Sequence, residues 1–222
     1  MYQMPSVDAL VIATLNPKGG TGKTTLAVHL ARAAQLDGLD VVIIDTDPQG
    51  SATDWRRRAA DVDAYDAPPV VSVTDASTLR SDLSRLVSSY DVAVIDGAAK
   101  LQGMTGAILA ASDAVLIPVQ ASALDLWGTA EFIDLVTDRV HAGGTRAAFV
   151  PSARDVRTTL SAEVRDVLED AGGDDVPVFD GTTRRVAYAR SLAEGKTALD
   201  GYDATAADEI TQLLTDTGQL LQ

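Results

Sequence analysis

The sequence contains no cysteine, which excludes disulfides, thiolate metal sites, cysteine nucleophiles and cysteine-held clusters together. Lysine is nearly absent as well: among 18 basic residues, only Lys18, Lys23, Lys100 and Lys196 are lysine. Glutamate is confined to Glu131, Glu163, Glu169, Glu194 and Glu209 among 32 acidic residues. No apolar run approaches the roughly 20 residues needed to cross a bilayer. The opening Met-Tyr-Gln-Met-Pro has none of the basic stretch, apolar segment and small-residue cleavage site of a secretory signal, so a cytoplasmic location is expected. Of the two histidines, His29 falls on a helical segment where packing or exposure explains it. His141 has no matching ligand set, and neither is assigned a role.

What is present in excess is aspartate. The formal charge is -14, and a surface rich in aspartate and poor in lysine is what a protein in multimolar salt tolerates. There, screening offsets the self-repulsion that this charge causes in dilute buffer. A halophilic source is therefore expected. The 222 residues suit one compact unit, 1–222, with no internal repeat and no linker.

Ala9 to Leu15, Val41 to Ile44, Val92 to Ile95 and Ala114 to Val119 are short, continuously apolar, β-branched runs. The last three each follow an aspartate. Such runs fit strands of a parallel sheet covered on both faces. Helical segments lie between them, including Leu26 to Ala34, Ser77 to Ser88 and Leu124 to Val140. The alternation specifies an α/β, doubly wound, mostly parallel sheet with helices on both faces. Further strands are expected at Ala147 to Val150 and Val176 to Phe179, separated by a helix across Leu160 and Leu168, and a final helix at about Ala204 to Leu214.

The strand ending at Leu15 runs into Asn16-Pro-Lys-Gly-Gly-Thr-Gly-Lys-Thr-Thr25. In the usual phosphate loop a glycine, four residues and then Gly-Lys-Ser/Thr wrap backbone amides and a helix N-terminus around phosphates. Gly22-Lys23-Thr24 fits, but Pro17 stands where the first glycine belongs. The loop is thus a variant, with Gly19, Gly20, Thr21, Gly22 and Thr25 completing the cradle. Lys23 is placed to reach β- and γ-phosphates and the Thr24 hydroxyl to ligate Mg²⁺. A Gly-rich turn with an incidental lysine is the alternative, and the flanking strand and helix weigh against it.

This segment closely resembles the deviant Walker A motif of the ParA/MinD superfamily of ATPases, with Lys18 at the signature lysine. The resemblance implies ATP and Mg²⁺ as cofactors and a homodimer in which Lys18 reaches the partner's nucleotide, in the manner of an arginine finger. Val41 to Ser51 resembles the Walker A′ and switch I element. Asp47 there matches the carboxylate that orients the attacking water, and Asp45 lies near Mg²⁺. On residue chemistry alone, Asp45 could equally cap the following turn. Val92-Ala-Val-Ile-Asp-Gly-Ala-Ala99 looks like Walker B, with Asp96 holding Mg²⁺ through water and Gly97 beginning switch II. The Asp-Gly-Ala form, where many relatives have Thr-Pro-Pro after the aspartate, together with Trp55 and Ile117 to Asp125, is most similar to small, ParF-type partition ATPases.

That subgroup implies non-specific binding of nucleoid DNA by the ATP-bound dimer and release by a ParB-like, cargo-bound activator. The candidate DNA surface is Arg184, Arg185, Arg190 and Lys196, with Arg56 to Arg58 a second cluster. The alternatives are a positioning ATPase for a protein assembly, a MinD-like membrane switch, and a phosphate-loop ligase or kinase. After Lys196 the chain has no lysine or arginine, which argues against a basic membrane-binding helix. No substrate-binding set supports the ligase. Adenine contacts are expected within Pro151 to Arg154.

Overall fold

The computed structural model describes residues 9–98, 102–120, 130–155 and 159–222. Six parallel strands form one sheet: β1 (Leu10–Thr14), β2 (Val41–Asp45), β3 (Val70–Ser72), β4 (Val92–Asp96), β5 (Ala114–Gln120) and β6 (Arg146–Ser152). Their order is β3-β2-β4-β1-β5-β6. The described helices are α1 (Lys23–Leu36), α2 (Ser51–Ala60), α3 (Ala76–Val87), α4 (Gln102–Ala111), α5 (Ala130–His141), α6 (Thr159–Gly172), α7 (Val186–Ala193) and α8 (Ala204–Leu220). The doubly wound α/β expectation therefore stands.

The continuous apolar character of the strands follows from having two buried faces. Val11, Ala13, Val42 and Ile44 pack with α3 and α4 on one side, while Ile12, Val41, Ile43 and Val94 pack with α1, α2 and α8 on the other. Burying each such valine or isoleucine side chain stabilises the fold by about 1.5–3 kcal/mol. The aspartates before the strands also have a structural use. The Asp113 carboxylate accepts the Val11 amide at 2.8 Å and that of Asp91 accepts the Asp40 amide at 2.9 Å, satisfying strand-end donors that have no ladder partner.

Several expected elements differ. Residues 176–179 form a single bridge, Phe149 to Val178, rather than a strand. Pro177 can offer only its carbonyl, which accepts from Phe149. The last helix continues to Leu220, because Thr217, past the expected end at Leu214, is buried. Strand β3 is only three residues long and half-buried, too short to show a pattern. Of the helix expected over Leu124 to Val140, residues 124–129 lie outside the described residues.

Candidate functional site

At the C-terminal edge of the sheet, β1, β2 and β4 end level: Thr14 and Asp45 both register against Asp96. Connections depart from β1 toward β2 on one side and reach β5 on the other. That reversal opens a crevice beyond the strand ends, where ligands of such sheets bind.

The loop from β1 to α1 borders this crevice. Gly22 holds φ at 100°, a left-handed conformation that side chains disfavour, and this turn lets Lys23 begin α1 directly. No side chain caps α1 and its first turn has no acidic residue, so the positive end of the helix dipole is left for a ligand anion. Side chains from three strand ends fasten the loop. Asn16 accepts the Lys18 amide and donates to the Pro118 carbonyl, both at 2.9 Å. Gln120 donates to the Gly20 carbonyl at 2.6 Å, and Ser152 to that of Thr21 at 2.7 Å. Lys18, Gly19 and Gly20 are exposed between these anchors, while Thr24 and Thr25 are half-buried on the first turn. The Lys23 ammonium is buried and donates to the Lys18 carbonyl at 2.8 Å. Burial lowers its pKa, against the pull of Asp96 and Asp47.

Asp96 is fully buried, and neither carboxylate oxygen has a hydrogen-bond partner among the described residues. Burial raises its pKa to about 7. The charges of Asp45 and Asp47 add to the shift, while the Lys23 ammonium and the nearby Thr24 hydroxyl, which lies outside hydrogen-bonding geometry, oppose it. A buried orphan carboxylate is costly unless a cation joins it. Among the described residues no cluster of three or more histidines or carboxylates forms a ready-made metal cage. That combination suits Mg²⁺, which uses one or two protein oxygens together with phosphates and water.

Asp45 is differently engaged. One of its oxygens accepts from the Thr53 amide at 2.9 Å and hydroxyl at 2.7 Å, and the other from the Asp47 amide at 3.2 Å. It ties the start of α2 to the strand, the turn-capping use that residue chemistry left open. Asp47, one turn further out, is half-exposed and accepts the Gln49 amide. The Gly97 amide donates to the Thr14 carbonyl. A Cβ there would lie 2.5 Å from that oxygen, so only glycine lets β4 exit so close to β1.

Beside the loop is a cavity of about 220 Å³. Ser152 and Ala153 line it, within the stretch expected to contact adenine, and so do Thr182 to Arg185 and Tyr188. The arginines expected to face DNA are therefore divided. Arg184 is exposed and lines the mouth of the cavity. Arg185 is held by Asp203 and Glu209, each at 3.3 Å. Arg190 pairs with Glu194 at 3.0 Å. Lys196 is half-exposed, and its carbonyl accepts the indole of buried Trp55 at 3.0 Å.

Sequence reasoning missed several participants. Thr46 donates to the Asp96 carbonyl at 2.7 Å and accepts the Ala98 amide at 3.0 Å, joining the two switch-like segments. Its place between two aspartates was the available signal. Gln120, Ser152 and Glu209 carry no local signature, because their partners lie 100, 131 and 26 residues away.

The family profile for the CobQ/CobB/MinD/ParA nucleotide binding domain matches residues 12–199. The chain is 30% identical over 221 residues to "Maintenance of carboxysome distribution protein A" of Halothiobacillus neapolitanus, covering 96% of this chain and 98% of that protein. It is 29% identical over 221 residues to "Chromosome-partitioning ATPase Soj" of Thermus thermophilus, covering 84% and 86% respectively. Among solved structures, apo McdA of Cyanothece superposes with a TM-score of 0.76 at 18% identity, covering 94% of this chain and 99% of that one, which shows a shared fold.

Proposed function

Because the chain belongs to the CobQ/CobB/MinD/ParA nucleotide-binding family, we propose that it is an ATP-gated switch that dimerises around nucleotide, holds DNA and moves a cargo. It is an ATPase of the ParA/MinD type. The observation that carries the proposal is that an exposed Lys18 and an Asp96 whose carboxylate has no hydrogen-bond partner among the described residues stand at the same edge of the sheet.

In this reading Gly19 to Thr25 wrap the ATP phosphates, and Lys23 leaves the Lys18 carbonyl for β- and γ-phosphate oxygens. Thr24 and Asp96 hold Mg²⁺, with Asp45 behind them. The bound ion neutralises charge on the phosphates. Asp47 orients the attacking water, and Gly97 lets β4 exit close to the end of β1. Lys18 crosses to the partner's nucleotide, which makes hydrolysis conditional on assembly. The 222 residues act as one ATPase domain in the cytoplasm, on nucleoid DNA.

DNA binding rests on Arg184, Arg190 and Lys196, with Arg185 behind them. Their internal carboxylate partners, and the high salt that the composition points to, both weaken phosphate contacts. Many contacts per dimer are therefore needed, and a ParB-like activator releases them by stimulating hydrolysis. The cargo is a plasmid or chromosome. A second reading, positioning of a protein assembly, is favoured by the carboxysome-distribution relative that spans nearly the whole chain. Among the described residues no helix is long and apolar enough to cross a membrane.

Co-sedimentation with DNA and with lipid vesicles in high salt, under ATP or ADP, tests the switch. ATP-enhanced DNA binding is expected, whereas ATP-enhanced vesicle binding without DNA binding overturns it. Deleting the gene separates the cargoes: replicon loss supports partition, and a collapsed protein assembly with replicons retained supports the second reading.

A further inference from the structure

The phosphate loop is built by β1, β5 and β6, but the opposite wall of the neighbouring cavity is residues 182–185, a segment outside any strand or helix. One edge of that segment hangs on the chain after β6. Thr182 donates to the Pro151 carbonyl at 2.8 Å, Arg154 donates to Thr182 at 2.9 Å, and Arg184 donates to Arg154 at 2.8 Å. The other edge meets one side chain. Glu209 on α8 accepts the Thr183 amide at 3.0 Å, the Thr183 hydroxyl at 2.6 Å, the Tyr188 hydroxyl at 2.7 Å and the Arg185 guanidinium at 3.3 Å. Its side chain is only 14% exposed, so these donors replace water around the charge. Ile210, the next residue, itself lines the cavity.

We propose that Glu209 is a positioning residue for the nucleoside end of the ATP site: by gathering four donors it sets the cavity wall against which the base and ribose pack. It touches neither the phosphate loop nor Asp96, so it governs nucleoside affinity rather than the chemistry at the γ-phosphate. Tyr188 extends the support, since its ring packs edge-on against His29 of α1, 5.2 Å between centroids. That contact holds the wall in register with the helix that leaves the phosphate loop.

The inference rests on reading this cavity as the nucleoside end, and the test separates the two. Binding of ADP and of inorganic tripolyphosphate is measured by calorimetry for the intact chain and for Glu209→Ala, Glu209→Gln and Thr183→Val, with steady-state ATP hydrolysis alongside. For Glu209→Ala, ADP affinity and KM for ATP are expected to worsen about tenfold, as lost bonds to a charged acceptor predict. Tripolyphosphate affinity and kcat stay unchanged. Glu209→Gln, which keeps an acceptor and the volume, falls between, and so does Thr183→Val, which removes one donor; both serve if Glu209→Ala does not fold. Equal weakening of ADP and tripolyphosphate, or no change in either, overturns the positioning role. Ala189→Trp, which narrows the cavity away from Glu209, is expected to weaken ADP and spare tripolyphosphate. If it leaves ADP binding intact, the cavity is not the nucleoside site.

Discussion

Two buried or half-buried carboxylates of the chain are treated oppositely. Asp96, at the end of β4, has two oxygens with no hydrogen-bond partner among the described residues, and its pKa is pushed up to about 7 by burial. Glu209, on α8, gathers four donors, and despite the burial that opposes it, its bonds to Thr183, Tyr188 and Arg185 hold its pKa below the usual carboxylate range. A folded chain ordinarily satisfies its buried polar groups. An orphan therefore marks where something outside the chain completes the structure, and a saturated carboxylate marks scaffold. Exposure also separates the cations: Lys18 is exposed at the loop tip, while Arg185 is held between Asp203 and Glu209.

The contrast breaks most sharply at Asp96. Asp96→Asn is expected to cut ATP hydrolysis at least 100-fold, about what losing a key electrostatic contact costs. Without Mg²⁺ and nucleotide, the same variant is expected to be more stable than the native chain at pH 8. The folded pKa is raised from 3.8 to about 7, so the ionised carboxylate destabilises the native state as pH rises through that window. The gain reaches up to roughly 4 kcal/mol at pH 8 and fades toward pH 4. Thermal unfolding at several pH values reads it, and equal stability of the two chains at pH 8 would contradict the orphan reading.

Next comes His29, fully buried, bonded to the Thr25 carbonyl through Nδ1 at 2.7 Å and accepting the Ala198 amide on Nε2 at 3.0 Å. Those partners fix the neutral ring, and burial lowers its pKa to about 4. Because the unfolded ring takes a proton near pH 6.5, its contribution is complete above that and is lost as pH falls toward 4, by roughly 3 kcal/mol. His29→Gln should lose less stability than the native chain over that interval, as chemical denaturation at pH 7 and pH 4.5 would report. A smaller effect is expected at the loop anchors. Gln120→Ala and Asn16→Ala should each lower stability by about 1 kcal/mol, and they should lower hydrolysis more than ADP binding because they fix the loop tip that bears Lys18. Smallest is Arg190→Ala, whose exposed pair with Glu194 should leave thermal stability within about 0.5 kcal/mol while reducing DNA affinity.

Much of this was legible in the chain because the signals are local. β-branched runs gave four of the strands, and the Gly-Lys-Thr after β1 gave the phosphate loop, since strand, loop and helix are contiguous. Asp45 and Asp96 close β2 and β4, and Asp47 follows two residues later, so their places at the sheet edge can be read from the chain. Other features depend on distant partners. Nothing near Ser152 indicates that it will meet Thr21, and nothing near Glu209 indicates four donors. The basic cluster divides the same way: Arg185 reads as a free cation until folding brings Asp203 and Glu209 beside it, whereas Glu194, the partner of Arg190, stands only four residues along the same stretch. Residues 176–179 read as a strand by composition, yet form one bridge to β6.

The measurement closest to the central claim is the mass in solution of Asp47→Ala, in which ATP is expected to be held without turnover, beside the Asp47→Ala, Lys18→Ala double variant. Sedimentation velocity with Mg²⁺ and saturating ATP should give a dimer for the first and a monomer for the second, with both monomeric in ADP. A double variant that dimerises fully with ATP would show that Lys18 does not couple the nucleotide to assembly.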